Sequence, residues 1–383
     1  MTFNWTGRSD GDGILHRRWH NIVKTRELNQ LQLITQNEED SSSHLSNRKV
    51  KSKMALLGLR TDEGVNRNQG RLGAVEGPLL IRKKLANIAV HDDYCITDFG
   101  DHICETNQLE HFQEEQIKIV TNLLLKKYHP ILLGGGHEIA FGNALGLAGY
   151  LIKDINSNSG NQMDAKKSSL SYTSPDRNMY ENDDFFQRCQ NILQGNLEPI
   201  SQQFSEIKIG IINIDAHFDL REDDRSTSGT PFLQIASVFQ ALGIPFHYCC
   251  LGINVNSNTA KLFETAKQLA VTVIKDEELS PNSFLDRKDL LVDFIKNVDH
   301  IYLSIDLDVF SSMQAPGVSA PSAKGISLEM VEILLSLIYQ SKKVRLVDIA
   351  ELNPHYDIDD RTAQLAAYLV TQLTKLQHIY QQK

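Results

Sequence analysis

Residues 213–221, NIDAHFDLR, place four ionisable side chains directly after an apolar run. The preceding run, IKIGIIN, is short, β-branched and almost uncharged, which is typical of a buried parallel strand. Burying carboxylates and an imidazole there without partners would be unfavourable by several kcal/mol. Asp215, His217 and Asp219 are residue types that bind metal ions, so the stretch predicts a cation site at the end of a strand.

Two further strand-like segments end in similar groups. The run PILL (130–133) is followed by three glycines and His137, and the run IYLSI (301–305) by Asp306 and Asp308. Taken singly, each motif has a structural alternative. A DxD pair is most often a turn or a helix cap, and a loop histidine is usually hydrogen-bonded. A glycine run forms a tight turn or a phosphate cradle, although no P-loop Lys follows here. Because ligands gather at the carboxyl ends of parallel strands, the three sets of side chains are expected to converge.

The combined set contains two histidines and four aspartates: His137, Asp215, His217, Asp219, Asp306 and Asp308. This mixture of carboxylate oxygen and imidazole suits Mn²⁺, with Fe, Co, Ni and Zn left open. Six protein ligands exceed what one ion needs if positions stay open for water. Two ions about 3.5 to 4 Å apart, bridged by carboxylates, fit better, and such a pair lowers the pKa of a bound water from 15.7 to roughly 7.

Alternating strand-like and helix-like segments surround these motifs. Strands are predicted at 54–60, 130–136, 207–215, 245–253, 270–275, 301–310 and 344–353. Amphipathic helices are predicted between several of them, including 111–127, 326–341 and 360–380. The alternation predicts the α/β class, as a three-layer α/β/α fold with a mainly parallel central sheet of about eight strands. One domain is expected to span residues 1–383.

Two polar segments interrupt this alternation, at about 36–53 and 155–184. Both are rich in Ser, Asn and charged residues and show no periodicity. Neither contains enough apolar surface to offset the entropy lost when a chain becomes ordered. Both are therefore predicted to be surface excursions from the domain.

Composition narrows the classes of function. The 383-residue chain is 41 % hydrophobic and carries a formal net charge of −9, which does not favour binding to nucleic-acid backbones. No apolar run approaches the roughly 18 to 20 residues of a membrane span, and the N-terminus lacks a signal-peptide pattern. The five cysteines include no CxxC pair, which fits a reducing compartment. A cytoplasmic protein that acts on a small molecule is expected.

The order of these motifs resembles that of the ureohydrolase family, which includes arginases, agmatinases and formimidoylglutamases. The match extends over about 54–150 and 207–375 and includes a further motif, AELNP (350–354), which carries Glu351. The resemblance implies an arginase-like fold, two Mn²⁺ ions and assembly as trimers or hexamers. It also implies that Glu351 faces a guanidinium or amidinium of the substrate, although a helix cap or a surface ion pair is the alternative role for that residue.

The same resemblance implies how the ligands are shared between the two ions. One ion would be held by His137, Asp215, Asp219 and Asp306. The other would be held by Asp215, His217, Asp306 and Asp308, so that Asp215 and Asp306 bridge the pair. Asp219 would also orient the attacking hydroxide and return a proton to the leaving amine, as a catalytic residue.

Several departures resemble the formimidoylglutamase branch of that family. Ser228, in STSGTPFLQ (226–234), stands where arginases and agmatinases carry the His of an HGxP segment, and Arg221 follows the DAHFD motif. The branch implies hydrolysis of N-formimidoyl-L-glutamate to L-glutamate and formamide in histidine degradation. Agmatine or guanidino-acid hydrolysis is the alternative within the family, and a non-catalytic metal-binding role is the alternative outside it.

A substrate with two carboxylates requires cations in its pocket, and Arg is the natural bidentate partner. Arg71, in NQGRLGA, and Arg221 are the preferred carboxylate contacts, with Arg67 nearby in the same motif and an ion pair to Asp219 as the alternative role for Arg221. Further candidates for contacts to the substrate or around it are Asn68, Ser228 and Thr230.

Overall fold

The computed structural model describes residues 2–33, 52–163, 182–194 and 204–381. Nine strands form one sheet: β1 (Lys24–Thr25), β2 (Lys53–Arg60), β3 (Cys95–Ile103), β4 (Tyr128–Gly134), β5 (Ile209–Ile214), β6 (His247–Ile253), β7 (Thr272–Lys275), β8 (His300–Asp306) and β9 (Val344–Ala350). Their order is β1-β3-β2-β4-β9-β8-β5-β6-β7, and every neighbouring pair is parallel. The predicted parallel α/β fold is confirmed, with nine strands where about eight were expected.

Helices cover both faces of the sheet. The helices of the described residues are α1 (Trp19–Ile22), α2 (Glu63–Arg67), α3 (Gly77–Leu85), α4 (Leu109–Leu125), α5 (Ile139–Met163), α6 (Asn182–Leu193), α7 (Pro231–Leu242), α8 (Ala260–Gln268), α9 (Lys288–Lys296), α10 (Leu328–Gln340) and α11 (Arg361–Gln381). Successive residues of a strand point to opposite faces. Met54 and Leu56 therefore belong to the core on the face covered by α3, α9, α10 and α11, whereas Ala55 and Leu57 belong to the core on the face covered by α4 to α8. These two cores hold the strand ends, and hence the site, in place.

Strand β3 was not among the predicted strands. Its sequence, CITDFGDHI, carries two acids and a histidine, which breaks the apolar pattern of a central strand. Asp98 and Asp101 are nevertheless buried, because Arg82 of α3 pairs with both. A strand whose charges are neutralised by a helix elsewhere in the chain gives no hydrophobic signal of its own. Strand β1, with only two residues, is too short to give a signal.

The two predicted polar excursions meet different outcomes. The segment 36–53 lies almost entirely outside the described residues, although β2 already begins at Lys53. The segment 155–184 was predicted to be a polar surface excursion, with its degree of order left open; in the structure α5 continues to Met163 and α6 begins at Asn182. A helix that is already formed gains one hydrogen bond for each residue added, so it extends into polar sequence. Residues 164–181 lie outside the described part of the chain.

No helix among the described residues is long and apolar enough to cross a bilayer.

Candidate metal centre

The predicted ligands lie at the carboxyl ends of adjacent strands. His137 follows β4, Asp215, His217 and Asp219 follow β5, and Asp306 ends β8. Strand β9 lies between β4 and β8, so four neighbouring strands, in the order β4-β9-β8-β5, supply the site. The sequence indicated three of these strands as the source of the ligands, and the fourth supplies Glu351.

Tight backbone geometry brings each motif to its position. In the glycine turn before His137, a Cβ added to Gly135 would lie 1.8 Å from the carbonyl oxygen of Thr61, so only glycine fits. The amide of His217 donates to Asp215 Oδ1 at 2.6 Å, and the amide of Asp308 donates to Asp306 Oδ1 at 2.8 Å. The glycine run therefore forms a tight turn, one of the two interpretations of the sequence. Asp215 and Asp306 each fix the loop that follows them.

The six side chains form one cluster. His137 Nδ1 lies 3.2 Å from an oxygen of Asp215, 2.9 Å from one of Asp219 and 3.0 Å from one of Asp306. His217 Nδ1 lies 2.9 Å from Asp308 Oδ2 and 3.5 Å from Asp215 Oδ1. Two groups of potential ligand atoms result, each within 4.8 Å: His137 with Asp215 and Asp306, and His217 with Asp215 and Asp308. Both groups contain Asp215.

The charge of the cluster favours a bound cation. Among the described residues, neither Lys nor Arg pairs within 4.0 Å with any of its four carboxylates. Burial and the neighbouring carboxylates raise the pKa of Asp306 well above its usual range, and burial raises the pKa of Asp308 to about 6. One oxygen of Asp308 is buried without a hydrogen-bond partner among the described residues. Despite burial, the same carboxylates raise the pKa of His137 and of His217 well above its usual value, so the cluster holds protons that divalent metal ions would replace on binding.

A chain of hydrogen bonds orients His137 from behind. Its Nε2 lies 2.9 Å from Ser304 Oγ, and that hydroxyl donates to Asp348 Oδ1 at 2.6 Å. Because the hydroxyl hydrogen of Ser304 is used, its oxygen accepts from Nε2–H of His137, which leaves Nδ1 of the neutral ring as a ligand atom. Asp348 also accepts from Asn143 and Tyr302, so its buried carboxylate is well satisfied. The sequence analysis did not identify Ser304 or Asp348, although each lies on a strand predicted from the sequence.

Glu351 extends the site beyond the six ligands. It follows β9 with a backbone φ of 69°, and its Oε1 accepts from the amide of His137 at 2.8 Å. Its other oxygen, Oε2, is buried without a partner among the described residues. Burial, together with the carboxylates of Glu138 and Asp308, raises the pKa of Glu351 to about 8. An unpartnered carboxylate oxygen in this position is suited to a cationic ligand group. Glu351 is too buried for either alternative role, the helix cap or the surface ion pair.

A cavity of about 90 Å³ opens over the cluster and over Glu351. Arg221, Asn68 and Ser228 line it together and are linked by hydrogen bonds. Asn68 Nδ2 donates to Ser228 Oγ at 3.0 Å, and Arg221 Nη1 donates to Asn68 Oδ1 at 3.1 Å. The ion pair considered between Arg221 and Asp219 does not form, and no carboxylate of the described residues neutralises this exposed guanidinium.

Three other residues from the sequence analysis lie away from the cavity lining. Arg71, predicted to contact a carboxylate, lies instead with its guanidinium 4.8 Å from the ring centroid of Tyr356. The segment after α2 turns at Gln69 and directs Arg71 outward, a change of direction that strand-end reasoning does not capture. Arg67 pairs with Glu63 and Glu110, and Thr230 hydrogen-bonds within its own loop.

Besides Gly229, which lies within the segment 226–234, five lining residues were not predicted: Ser257, Asn258, Leu262, Ser319 and Ala320. Asn258 also positions the metal motif, since it donates to the carbonyl of Ala216 at 2.8 Å and accepts from the amide of Phe218 at 3.1 Å. These residues come from loops and a helix without charged motifs. Their only sequence signal is that they follow the predicted strands 245–253 and 301–310.

Comparison with known proteins agrees with this geometry. The model of the arginase family matches residues 52–157 and 192–375. A formimidoylglutamase from Aeromonas salmonicida is 38 % identical over 373 residues, covering 97 % of this chain and 96 % of that protein. A formimidoylglutamase from Ralstonia nicotianae is also 38 % identical, over 96 % of this chain and 94 % of its own length.

Solved structures share the fold. The formimidoylglutamase of Bacillus subtilis superposes with a TM-score of 0.65 at 19 % identity, covering 97 % of this chain and 96 % of that one. A variant of Trypanosoma cruzi formiminoglutamase with Mn²⁺ superposes with a TM-score of 0.62 at 22 % identity, covering 90 % of this chain and 98 % of that one. The family match over most of the chain, the near-full-length identity and the position of the acidic cluster lead to one conclusion: the chain belongs to the arginase family.

Proposed function

We propose that the chain hydrolyses the amidine C–N bond of N-formimidoyl-L-glutamate, giving L-glutamate and formamide, with two Mn²⁺ ions per subunit. The observation that carries this proposal is the composition of one cavity. It combines an acidic cluster that no Lys or Arg of the described residues pairs with, an oxygen of Glu351 without a partner among those residues, and the guanidinium of Arg221. The near-full-length identity with two formimidoylglutamases supports the same substrate. A step in histidine degradation and an oligomeric assembly belong to the same proposal.

The two groups of atoms contain three candidate ligands each, and the family resemblance adds Asp219 to the first group and Asp306 to the second. His137, Asp215, Asp219 and Asp306 would hold one ion, and Asp215, His217, Asp306 and Asp308 the other. When bound, such a pair supplies Lewis acidity and activates water at neutral pH. The chain itself keeps the ligand atoms directed inward through Ser304 behind His137 and Asn258 behind the DAHFD loop.

Two charged side chains at different points of the cavity, Glu351 and Arg221, are proposed to orient the substrate. The amidinium would donate to Glu351 Oε2, which lacks another partner among the described residues. A carboxylate of the glutamate moiety would pair with Arg221, whose guanidinium is held by Asn68. Charge-assisted hydrogen bonds at both ends fix the amidine carbon next to the acidic cluster.

Asp219 is assigned the transfer of the proton. Its carboxylate reaches His137 and lines the cavity, so one oxygen faces both the cluster and the substrate. Attack of water on the amidine carbon forms a C–O bond and releases a proton, which Asp219 accepts. Cleavage of the bond from carbon to the glutamate nitrogen then requires a proton on that nitrogen, which Asp219 returns. One water is consumed, and formamide and glutamate are released.

Substrate choice is tested by a matched pair of arginine variants. Arg221→Gln is expected to reduce kcat/KM for N-formimidoyl-L-glutamate roughly 10- to 100-fold, mainly through KM, because one charge-assisted contact is lost. Arg71→Gln, which removes an arginine outside the cavity, is expected to leave it unchanged. Formamide release is compared with urea release from agmatine and arginine. Urea release as the faster reaction, or a smaller loss for Arg221→Gln than for Arg71→Gln, would refute the assignment.

A further inference from the structure

A second cavity lies at the opposite edge of the sheet, among the amino ends of the central strands. Its volume is about 330 Å³, compared with about 90 Å³ over the metal centre. Strand β4 separates the two edges, and its seven residues at about 3.3 Å each place them roughly 20 Å apart. The lining residues are Ser52, Leu124, Lys127, Tyr128, His129, Tyr150, Val344, Arg345 and Gln377.

Arg345 carries a positive charge into this cavity. Among the described acids, Asp299 and Asp154 lie close enough to the adjacent His300 to raise its pKa. The guanidinium is half-buried, and its Nε donates to Nδ1 of His300 at 2.9 Å. A nitrogen that accepts is unprotonated, so His300 is neutral, and burial together with Arg345 lowers the pKa of His300 to about 4. No carboxylate in the described part of the chain lies within 4.0 Å of Arg345. Among the described residues neither terminal nitrogen has a hydrogen-bond partner, so both can contact a ligand.

The other lining residues also favour a negatively charged ligand. Lys127 supplies a second cation on an exposed position, and none of the nine lining residues is Asp or Glu, in a chain whose net charge is −9. His129 is buried and neutral, since burial and Arg345 lower its pKa to about 3. The imidazoles of His129 and His300 are therefore uncharged near neutral pH and do not change the charge of the cavity.

Gln377 adds an unsatisfied acceptor. Its side chain is 3 % exposed, and its amide nitrogen donates to Ser52 Oγ at 3.2 Å. The amide oxygen has no hydrogen-bond partner among the described residues. A buried acceptor of this kind requires a donor, which a hydroxyl group of a ligand would supply.

We propose that this cavity binds a small hydroxylated organic anion, whose carboxylate or phosphate pairs with Arg345 and Lys127 and whose hydroxyl donates to Gln377. Arg suits either anion because its planar fork matches the oxygens of both. The site is independent of the proposed hydrolysis, since it shares no residue with the catalytic cavity.

The test is calorimetric titration of the full-length, manganese-loaded protein with L-malate and with glycerol 3-phosphate. Saturable binding of at least one of them, one molecule per chain, is expected, and the tighter one identifies a carboxylate or a phosphate ligand. Arg345→Gln and Lys127→Asn are each expected to weaken that binding at least tenfold. Lys127 has a φ of 60°, which Asn tolerates, so the second variant preserves the fold.

Two control variants locate the binding. Lys267→Asn, on α8, removes an exposed lysine far along the sheet and is expected to leave the affinity unchanged. Arg221→Gln is also expected to leave it unchanged, because Arg221 belongs to the catalytic cavity. The proposal is overturned if neither anion binds saturably at millimolar concentrations. It is equally overturned if Arg221→Gln abolishes binding while Lys127→Asn retains it.

Discussion

Two buried clusters of charge in this molecule are built in opposite ways. Around Arg82, two carboxylates meet a guanidinium, with Asp98 accepting at 2.9 and 3.0 Å and Asp101 at 2.5 Å. Trp5 and the amide of Gly100 donate to the remaining positions of Asp98. At the metal centre, four aspartates meet two imidazoles and no Lys or Arg of the described residues.

The difference separates a structural cluster from one that needs a ligand. The cluster of Arg82, Asp98 and Asp101 is complete as the chain folds, because its hydrogen bonds are made internally and Arg60, 3.8 Å from Asp101, supplies a second positive charge. The metal centre leaves buried oxygens without partners among the described residues, and burial raises the pKa of Asp306 and of Asp308. Breaking the first should therefore affect folding, and breaking the second should affect metal binding and chemistry.

The largest expected effect is that of Asp306→Asn. Replacing an oxygen ligand shared by both proposed metal positions should abolish formamide release and reduce manganese bound per chain. The metal-free variant should unfold in urea at a midpoint no lower than that of the metal-free wild type, because an amide oxygen can still accept the Asp308 N–H and one repelling carboxylate is removed. Full activity in the variant would contradict the binuclear interpretation.

Asp98→Asn should have the opposite signature. An amide nitrogen would face the donors of Arg82 and Trp5, and the buried guanidinium would keep only Asp101. Breaking a buried pair in this way costs about 3 to 5 kcal/mol of unfolding free energy. Urea unfolding measures this loss, while manganese stoichiometry per folded chain should not change. A destabilisation no larger than that of Asp306→Asn would remove the distinction between the two clusters.

Glu351→Gln sharpens the comparison within the site itself. The amide oxygen can still accept the His137 N–H, so the fold and the metal affinity should be retained. Loss of a charged partner for the amidinium, worth up to about 3 kcal/mol, should lower kcat/KM roughly 100-fold. Steady-state kinetics and a metal titration on the same preparation test both halves. An unchanged kcat/KM would mean that Glu351 has only a structural role.

Ser304→Ala has the smallest expected effect. Without the hydroxyl, Nε2 of His137 loses its acceptor, and metal affinity should fall about 10- to 100-fold, as is usual when the partner of a ligating histidine is removed. Tyr302→Phe is the matched control, since it removes another donor to Asp348 without touching His137. Equal losses in the two variants, by calorimetric manganese titration, would mean that Ser304 acts only through stability.

The sequence predicted the features that depend on local pattern. Strand ends such as ILLGGGH and IGIINIDAH combine an apolar run with polar residues at short spacing, so seven of the nine strands and the convergence of the six side chains could be predicted before any coordinates. Features that depend on distant partners could not. Strand β3 is stable because Asp98 and Asp101 meet Arg82 in a separate helix, and a single-strand pattern does not contain that information.

The lining of the cavity shows the same limit. Arg221 follows a predicted strand closely and reaches the cavity, whereas Arg71 lies beyond a short helix whose exit direction decides where it points. Asn258 and Ser319 belong to loops from other parts of the chain, and nothing in their own sequence marks them. The similarity to formimidoylglutamases indicates the branch of the family. Only the three-dimensional contacts show that Arg221 lines the cavity and that Arg71 does not.

The most direct test of the central claim is a calorimetric titration of the metal-free chain with Mn²⁺. The acidic cluster predicts two ions per chain in the wild type and in Asp98→Asn, and fewer than two in Asp306→Asn. A wild-type chain that binds one ion or none, or an Asp306→Asn variant that binds two with wild-type affinity, would contradict it.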